Sequence, residues 1–383
     1  MKQAHSLSFV LALLFLLFSS CIKELALPVG STAIPYVSGV ISHSEGERTI
    51  TVGEINGINE VVPLSAEVWL LEEDSLAAKF EEIAMGSYTL PMNVALQEGN
   101  RYGVEVLLEN GRRYQSESRE LLPKGEIAEI TWDSGLEVIG RDLEGNPVED
   151  QVVNIYASVA LEPGEETRYY RWQTANTWSV VEIPKPEVDT FRVITFTALI
   201  GGGFEYDTTI SWIPDEVVVC YPTTEVSDHP STLVSTEGLT QGLASKQILQ
   251  RPLNQDFVNK LFVHAYLHRI DAKTYQFYEQ GQRLIDNQGN LFDETPAPLR
   301  GNVRSLDDST ELVLGLVEFS QADTMYQGLT LSDLGVFVED GCRPGADGPI
   351  VCVEGFGSPP PCKCYDCPLI YGEETVEIPP YWN

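Results

Sequence analysis

Positive charge is scarce in this chain: 24 Lys and Arg stand against 57 Asp and Glu, and the formal net charge is −33. Such a surface repels phosphate backbones and anionic headgroups, which argues against nucleic acid as a partner and favours bound calcium or a basic partner. Long apolar runs are missing too. The run at residues 7–18 is closed by Ser19, Ser20, Lys23 and Glu24, well short of the roughly 20 residues that cross about 30 Å of hydrocarbon. Catalytic signatures are also absent: there is no GxSxG, no HExxH and no Gly-rich phosphate loop, so the common nucleophile-elbow, zincin and P-loop chemistries have no foothold. With 57 acidic residues, a carboxylate pair for glycoside hydrolysis is always present by chance, and the sequence selects none. The expectation is a protein that is not an enzyme.

What is present begins at the N-terminus. Lys2, the apolar run 7–18 and Ser19-Ser20 before Cys21 have the three-part layout of a secretory signal. The stretch "FSSC" resembles a bacterial lipobox, with Phe18 in place of the usual aliphatic residue. On this reading residues 1–20 are a lipoprotein signal peptide, Cys21 is lipidated, and residues 21–32, rich in Pro, Gly, Ser and Thr, are a tether. Several acyl chains on one cysteine anchor a protein durably, whereas one holds it marginally.

The body reads as mainly β. Residues 33–122 contain short alternating runs; Tyr102, Val104, Val106 and Leu108 alternate with Arg101, Gly103, Glu105 and Leu107, and "ENG" at 109–111 is a hairpin turn. Strands at that spacing predict an antiparallel β-sandwich of immunoglobulin-like size. Pro and Gly in "LLPKGE" interrupt the pattern at 121–126. A larger β-rich domain with one helix is expected over 126–383, ending in a Cys-rich segment from about residue 341. The helix follows the strand "KLFVHAYLHRI", with Asp271 as N-cap, an apolar stripe of Tyr275, Tyr278, Leu284 and Ile285, and Gly289 as its end.

Four groups of side chains compete as sites. His264 and His268 have i, i+4 spacing, but on a strand that spacing spans roughly 13 Å, too far for one ion. Asp286, Asn290, Asp293 and Glu294 cluster around Gly289 as weak calcium ligands, as do the acids of "RDLEGNPVED" at 141–150, although neither fits the EF-hand pattern. Tyr170, Trp172 and Trp178 fall on one strand face, where they are either core or an exposed platform for sugar rings. With Cys21 lipidated, Cys220, Cys342, Cys352, Cys362, Cys364 and Cys367 remain. An even number in an exported chain reads as three disulfides stapling a C-terminal segment poor in apolar residues. The rival is a zinc site in which "CKCYDC" and Cys342 or Cys352 supply four thiolates.

The order "DEVVVCY", "AKTYQFYEQ", "LFDETPAPLRGNV", "VLGLVEFS", "PCKCYDC" and terminal "PPYW" resembles a lipoprotein family of Bacteroidota, domain-of-unknown-function family 4249. The resemblance implies an outer-membrane lipoprotein with an N-terminal immunoglobulin-like part, an accessory or substrate-capture partner of a TonB-dependent receptor. It implies no catalytic residue and no resident cofactor. The alternative is a free-standing surface module that binds glycan or protein. The membrane face is left open, with Lys23 and Glu24 beside the anchor inclining the reading toward the cell surface.

Overall fold

A computed structural model describes residues 33–42, 48–56, 60–142, 144–161, 167–181, 218–225, 232–239, 242–286, 299–336 and 367–382. The chain is mainly β, with two hydrophobic cores. The first lies between two sheets. One has the strand order Val317–Ser320, Ile34–Ser42, Arg48–Asn56, Ser87–Thr89, Glu81–Ala84; the other runs Val303–Ser305, Arg113–Ser116, Arg101–Leu108, Ala66–Glu72, Ser75–Lys79. Alternation decides which side chains enter. Tyr102, Val104, Val106 and Leu108 are buried in the core with Val37, Ile50, Val68 and Tyr114. The "ENG" turn closes with Gly111 at φ 85°, its amide donating to Leu108 O at 2.9 Å. Val106 faces Tyr114 across the hairpin.

Two strands of this sandwich come from far along the chain, which corrects the division at 122–126. Residues 303–320 were expected in the second domain, but Val303–Ser305 pairs with Arg113–Ser116, and Val317–Ser320 joins Ile34–Ser42 in parallel. The "RGN" of the proline-rich motif explains how. The Asn302 side chain, 6% exposed, acts as a strand partner, donating Nδ2 to Val317 O at 2.7 Å and accepting Val317 N at 2.9 Å. A Cβ on Gly301 would lie 1.6 Å from Gly315 O, so only glycine permits this crossing. A parallel pairing between strands so distant in sequence leaves no local pattern to read.

The second core lies between the sheet Ile127–Arg141, Pro147–Leu161, Gly242–Pro252 and the sheet containing Thr223–Glu225, Tyr169–Trp178, Leu261–Ile270 and Ala322–Leu329. Tyr170, Trp172 and Trp178 share one face, as alternation predicts, and all three are buried in this core. They offer no platform to a ligand. The first two strands of this unit form a hairpin whose tip is built by Asp142: Oδ1 accepts from Glu144 N at 2.9 Å and Asn146 N at 2.8 Å, and Oδ2 accepts from Asn146 Nδ2 at 3.0 Å. That carboxylate serves the turn.

The predicted helix spans Ala272–Asp286. Asp271 caps it as expected, accepting Lys273 N at 2.8 Å and Thr274 N at 3.1 Å on Oδ1. The apolar stripe stops early: Tyr275 packs on Tyr169 with ring centroids 4.8 Å apart, but Ile285 is 54% exposed. Contacts of the first turns hold this helix, and its last turn carries Ile285 into solvent. Gly289 and the calcium candidates Asn290, Asp293 and Glu294 lie outside the described residues, as does the side chain of Asp286.

A disulfide joins Cys220 to Cys367. It takes Cys367 out of any four-thiolate zinc set, while Cys342, Cys352, Cys362 and Cys364 lie outside the described residues. Among the described residues there is no cluster of three or more metal-ligating side chains and no helix long and apolar enough to cross a membrane. Cys21 and the residues before it are likewise outside the description.

Candidate functional site

The two sandwiches meet at a buried ion pair. Glu318, on the strand added to the first sandwich, accepts Arg171 Nη2 at 3.0 Å on Oε1 and Arg171 Nε at 3.2 Å on Oε2. Their side chains are 4% and 1% exposed for Arg171 and Glu318. Tyr278 OH donates to Glu318 Oε2 at 2.8 Å and Ser320 Oγ to Oε1 at 2.7 Å. His268 Nδ1 lies 3.0 Å from Ser320 Oγ. A serine, a histidine and a carboxylate are thus together, but the hydroxyl is committed to the carboxylate and His268 and Ser320 are fully buried. The group joins sheets; it has no surface on which a substrate could sit.

The second histidine is covered differently. Leu261–Ile270 is a strand, so His264 and His268 do not share an ion, and both of its faces are buried. Over His264 lies the chain's own C-terminal segment. Tyr381 packs 4.6 Å from the imidazole, stacks on Tyr326 at 4.4 Å and 7°, and shares a 2.9 Å hydrogen bond with Thr177 Oγ1. Trp382 packs on Tyr221 and Phe262. Thr177 Oγ1 is also 3.0 Å from His264 Nε2.

Burial pushes His264 down to about 4. It pushes His268 down to about 3, aided by the Arg171 cation and opposed by Glu318. For Glu318, burial alone would raise the carboxyl, but the Arg171 cation, His268 and the hydrogen bonds from Arg171 and Ser320 bring it down to about 2. Both imidazoles therefore stay neutral in the folded chain at pH values where an unfolded histidine, at about 6.5, takes a proton. Unfolding then binds about two extra protons. Stability should be fully present well above pH 6.5 and fall toward pH 4 by up to about 3 kcal/mol per pH unit. Glu318 adds a further loss as pH falls from about 4.5 toward 2. Urea melts at about pH 7.5, 6 and 5 check this; equal stability at all three would show that the imidazoles are not held neutral.

A solvent-facing groove of about 430 Å³ opens where the first sandwich meets the start of the helix. Arg119 bridges its wall, with Nη2 on Glu117 Oε2 and Nη1 on Asp271 Oδ1, both at 2.8 Å. Arg101 and Arg304 line the same groove. Polar groups converge here and solvent has access.

The residues missed by sequence reading are Arg171, Glu318, Ser320 and Tyr278. One signal for them existed: Glu318 stands as a lone carboxylate within the apolar run "LVLGLVEFS", and a charge in a buried strand calls for a partner.

The family model described as a domain of unknown function, DUF4249, matches residues 36–325. The chain belongs to the DUF4249 family. The DUF4249 match begins in the first strand and ends in Ala322–Leu329, so it includes the first core, most of the second, Gly301 and Asn302, and the Arg171–Glu318 pair. The segment over His264 lies beyond it. A comparison with curated proteins finds no match.

Proposed function

We propose that this DUF4249 protein is a non-catalytic outer-membrane lipoprotein, anchored through Cys21, that acts as an accessory or substrate-capture partner of a TonB-dependent transporter. The observation that carries an interaction role is the far end of the hairpin Ile127–Arg141 and Pro147–Leu161. There Leu136, Val138 and Ile139 are 63%, 57% and 45% exposed, and Val148 across the hairpin is 40% exposed. Among the described residues, the first of these strands has a partner along one edge only. Clustered exposed apolar side chains on an unpaired edge favour docking of another protein. The Bacteroidota and transporter assignments rest on the family resemblance.

Extraction of the native protein in mild detergent, followed by mass spectrometry of what accompanies it, tests the reading. A stoichiometric TonB-dependent barrel is expected. Leu136→Asp with Val138→Asp should remove it, since buried anchors at interfaces are worth about 2 kcal/mol or more each, while such surface changes move fold stability by only about 0.5 kcal/mol. Cys21→Ala should release the protein from the membrane fraction. A protein that comes out alone would overturn the transporter role and favour a free-standing binding module.

A further inference from the structure

We infer that the groove between the first sandwich and the helix is a binding site for a carboxylate-bearing, hydroxyl-rich ligand of the uronic-acid type. The inference deepens, and rests on, the substrate-capture half of the proposed function.

The argument starts from charge. In a chain of net charge −33, four cations line this one groove: Arg101, Arg119, Lys273 and Arg304. Two of them are used internally. Arg119 holds Glu117 and Asp271, and Lys273 Nζ sits 3.2 Å from Glu117 Oε2. The other two have no carboxylate. Arg101 Nη2 donates to a backbone carbonyl, Ser118 O, at 3.0 Å, and the Arg304 guanidinium, exposed, makes no hydrogen bond or ion pair among the described residues. Both line one groove, and each guanidinium is a fork of donors that suits an incoming carboxylate. The helix does not supply the anion contact, because Asp271 already accepts its first amides.

The acids of the groove narrow the ligand further. The Glu120 side chain makes no hydrogen bond among the described residues, and Asp74 takes only the Ser118 hydroxyl, at 2.5 Å. Ionised carboxylates are acceptors alone. They repel a phosphate dianion but accept hydrogen from hydroxyls. A sugar acid satisfies both halves: its carboxylate meets the Arg304 guanidinium and the remaining donors of Arg101, and its hydroxyls meet Glu120 and Asp74. A neutral sugar offers the guanidinia hydroxyl acceptors but no ionised partner, and so forgoes the stronger charge-assisted contact. A volume of about 430 Å³ falls in the range of small-molecule sites.

Calorimetric titration of the detergent-solubilised mature protein with galacturonate, galactose and inorganic phosphate tests this. Galacturonate should bind, and galactose should bind at least about tenfold more weakly, as expected for loss of a charge-assisted contact. Arg101→Gln with Arg304→Gln should weaken galacturonate about a hundredfold. Its melting temperature should move little, because neither guanidinium is in an ion pair and Arg101 gives up a single exposed hydrogen bond to Ser118 O. The proposal is overturned if galacturonate does not bind, if the double variant binds it as well as the parent, or if phosphate or galactose binds as tightly. Loss of the transporter partner in the detergent extraction would leave this titration unchanged, so the two failures are distinguishable.

Discussion

Glu318→Ala is expected to destabilise the folded chain by about 3–5 kcal/mol, among the largest effects available to a single substitution here. The reason lies in what remains. Arg171 is 4% exposed at its side chain, and removing the carboxylate takes the acceptor from its Nε and Nη2 where water does not reach, while Nη1 keeps Gln173 Oε1 at 3.1 Å. The bonds that Tyr278 and Ser320 donate to this carboxylate go as well. The damage falls at the join, because Glu318 belongs to the strand paired with Ile34–Ser42 while Arg171 belongs to the sheet of the second core. Chemical denaturation of Glu318→Ala should therefore show an earlier transition, with the two halves losing their common cooperativity. Arg171→Met combined with Glu318→Leu should recover most of the loss, since a buried ion pair replaced by packed apolar groups is often neutral. A single variant costing under about 1 kcal/mol would mean that solvent reaches the pair, and the description of a sealed junction would fail.

Cys220→Ala is expected to cost roughly 2–5 kcal/mol and to uncover His264. The Cys220–Cys367 bond spans 147 residues, and closing so long a loop removes much chain entropy from the unfolded state. It also fixes the base of the segment that ends in Tyr381 and Trp382. A backbone link there is Tyr221 N to Thr375 O at 2.7 Å; beyond it, ring contacts and the 2.9 Å hydrogen bond between Tyr381 OH and Thr177 Oγ1 hold the segment over His264. With the bond gone, the imidazole should hydrate and rise from about 4 toward the ordinary value near 6.5. NMR titration of the histidine ring protons reads this directly. Cys367→Ala should behave alike, and the double variant should be no worse than either single one, because both remove the same bond. If His264 stays depressed in both, side-chain packing alone seats the segment and the bond is not what holds it.

Local order in the chain made several features legible without a structure. Period-two alternation identified the strand 101–108 and its inward residues, and the "ENG" turn followed from glycine's access to positive φ. Asp271 was readable as a cap because the requirement is confined to the next three residues. Tyr170, Trp172 and Trp178 were placed on one face by the same alternation, but whether that face was core or platform depended on the opposing sheet. The helix stripe was overextended to Ile285 because periodicity measures which residues align, not how far a neighbour extends beneath them.

By itself, then, the sequence determined the local elements: the β-rich class, the capped helix, the turns and the strongly acidic composition. Tertiary structure alone decided what crosses between them. It brought Val317–Ser320 to the first strand, set Glu318 against Arg171, paired Cys220 with Cys367, laid Tyr381 over His264 and left Arg101 and Arg304 facing one groove. The physical reason is range. Backbone geometry and side-chain periodicity act over a few residues and are written in order along the chain, whereas burial and charge pairing depend on partners whose sequence separation carries no pattern.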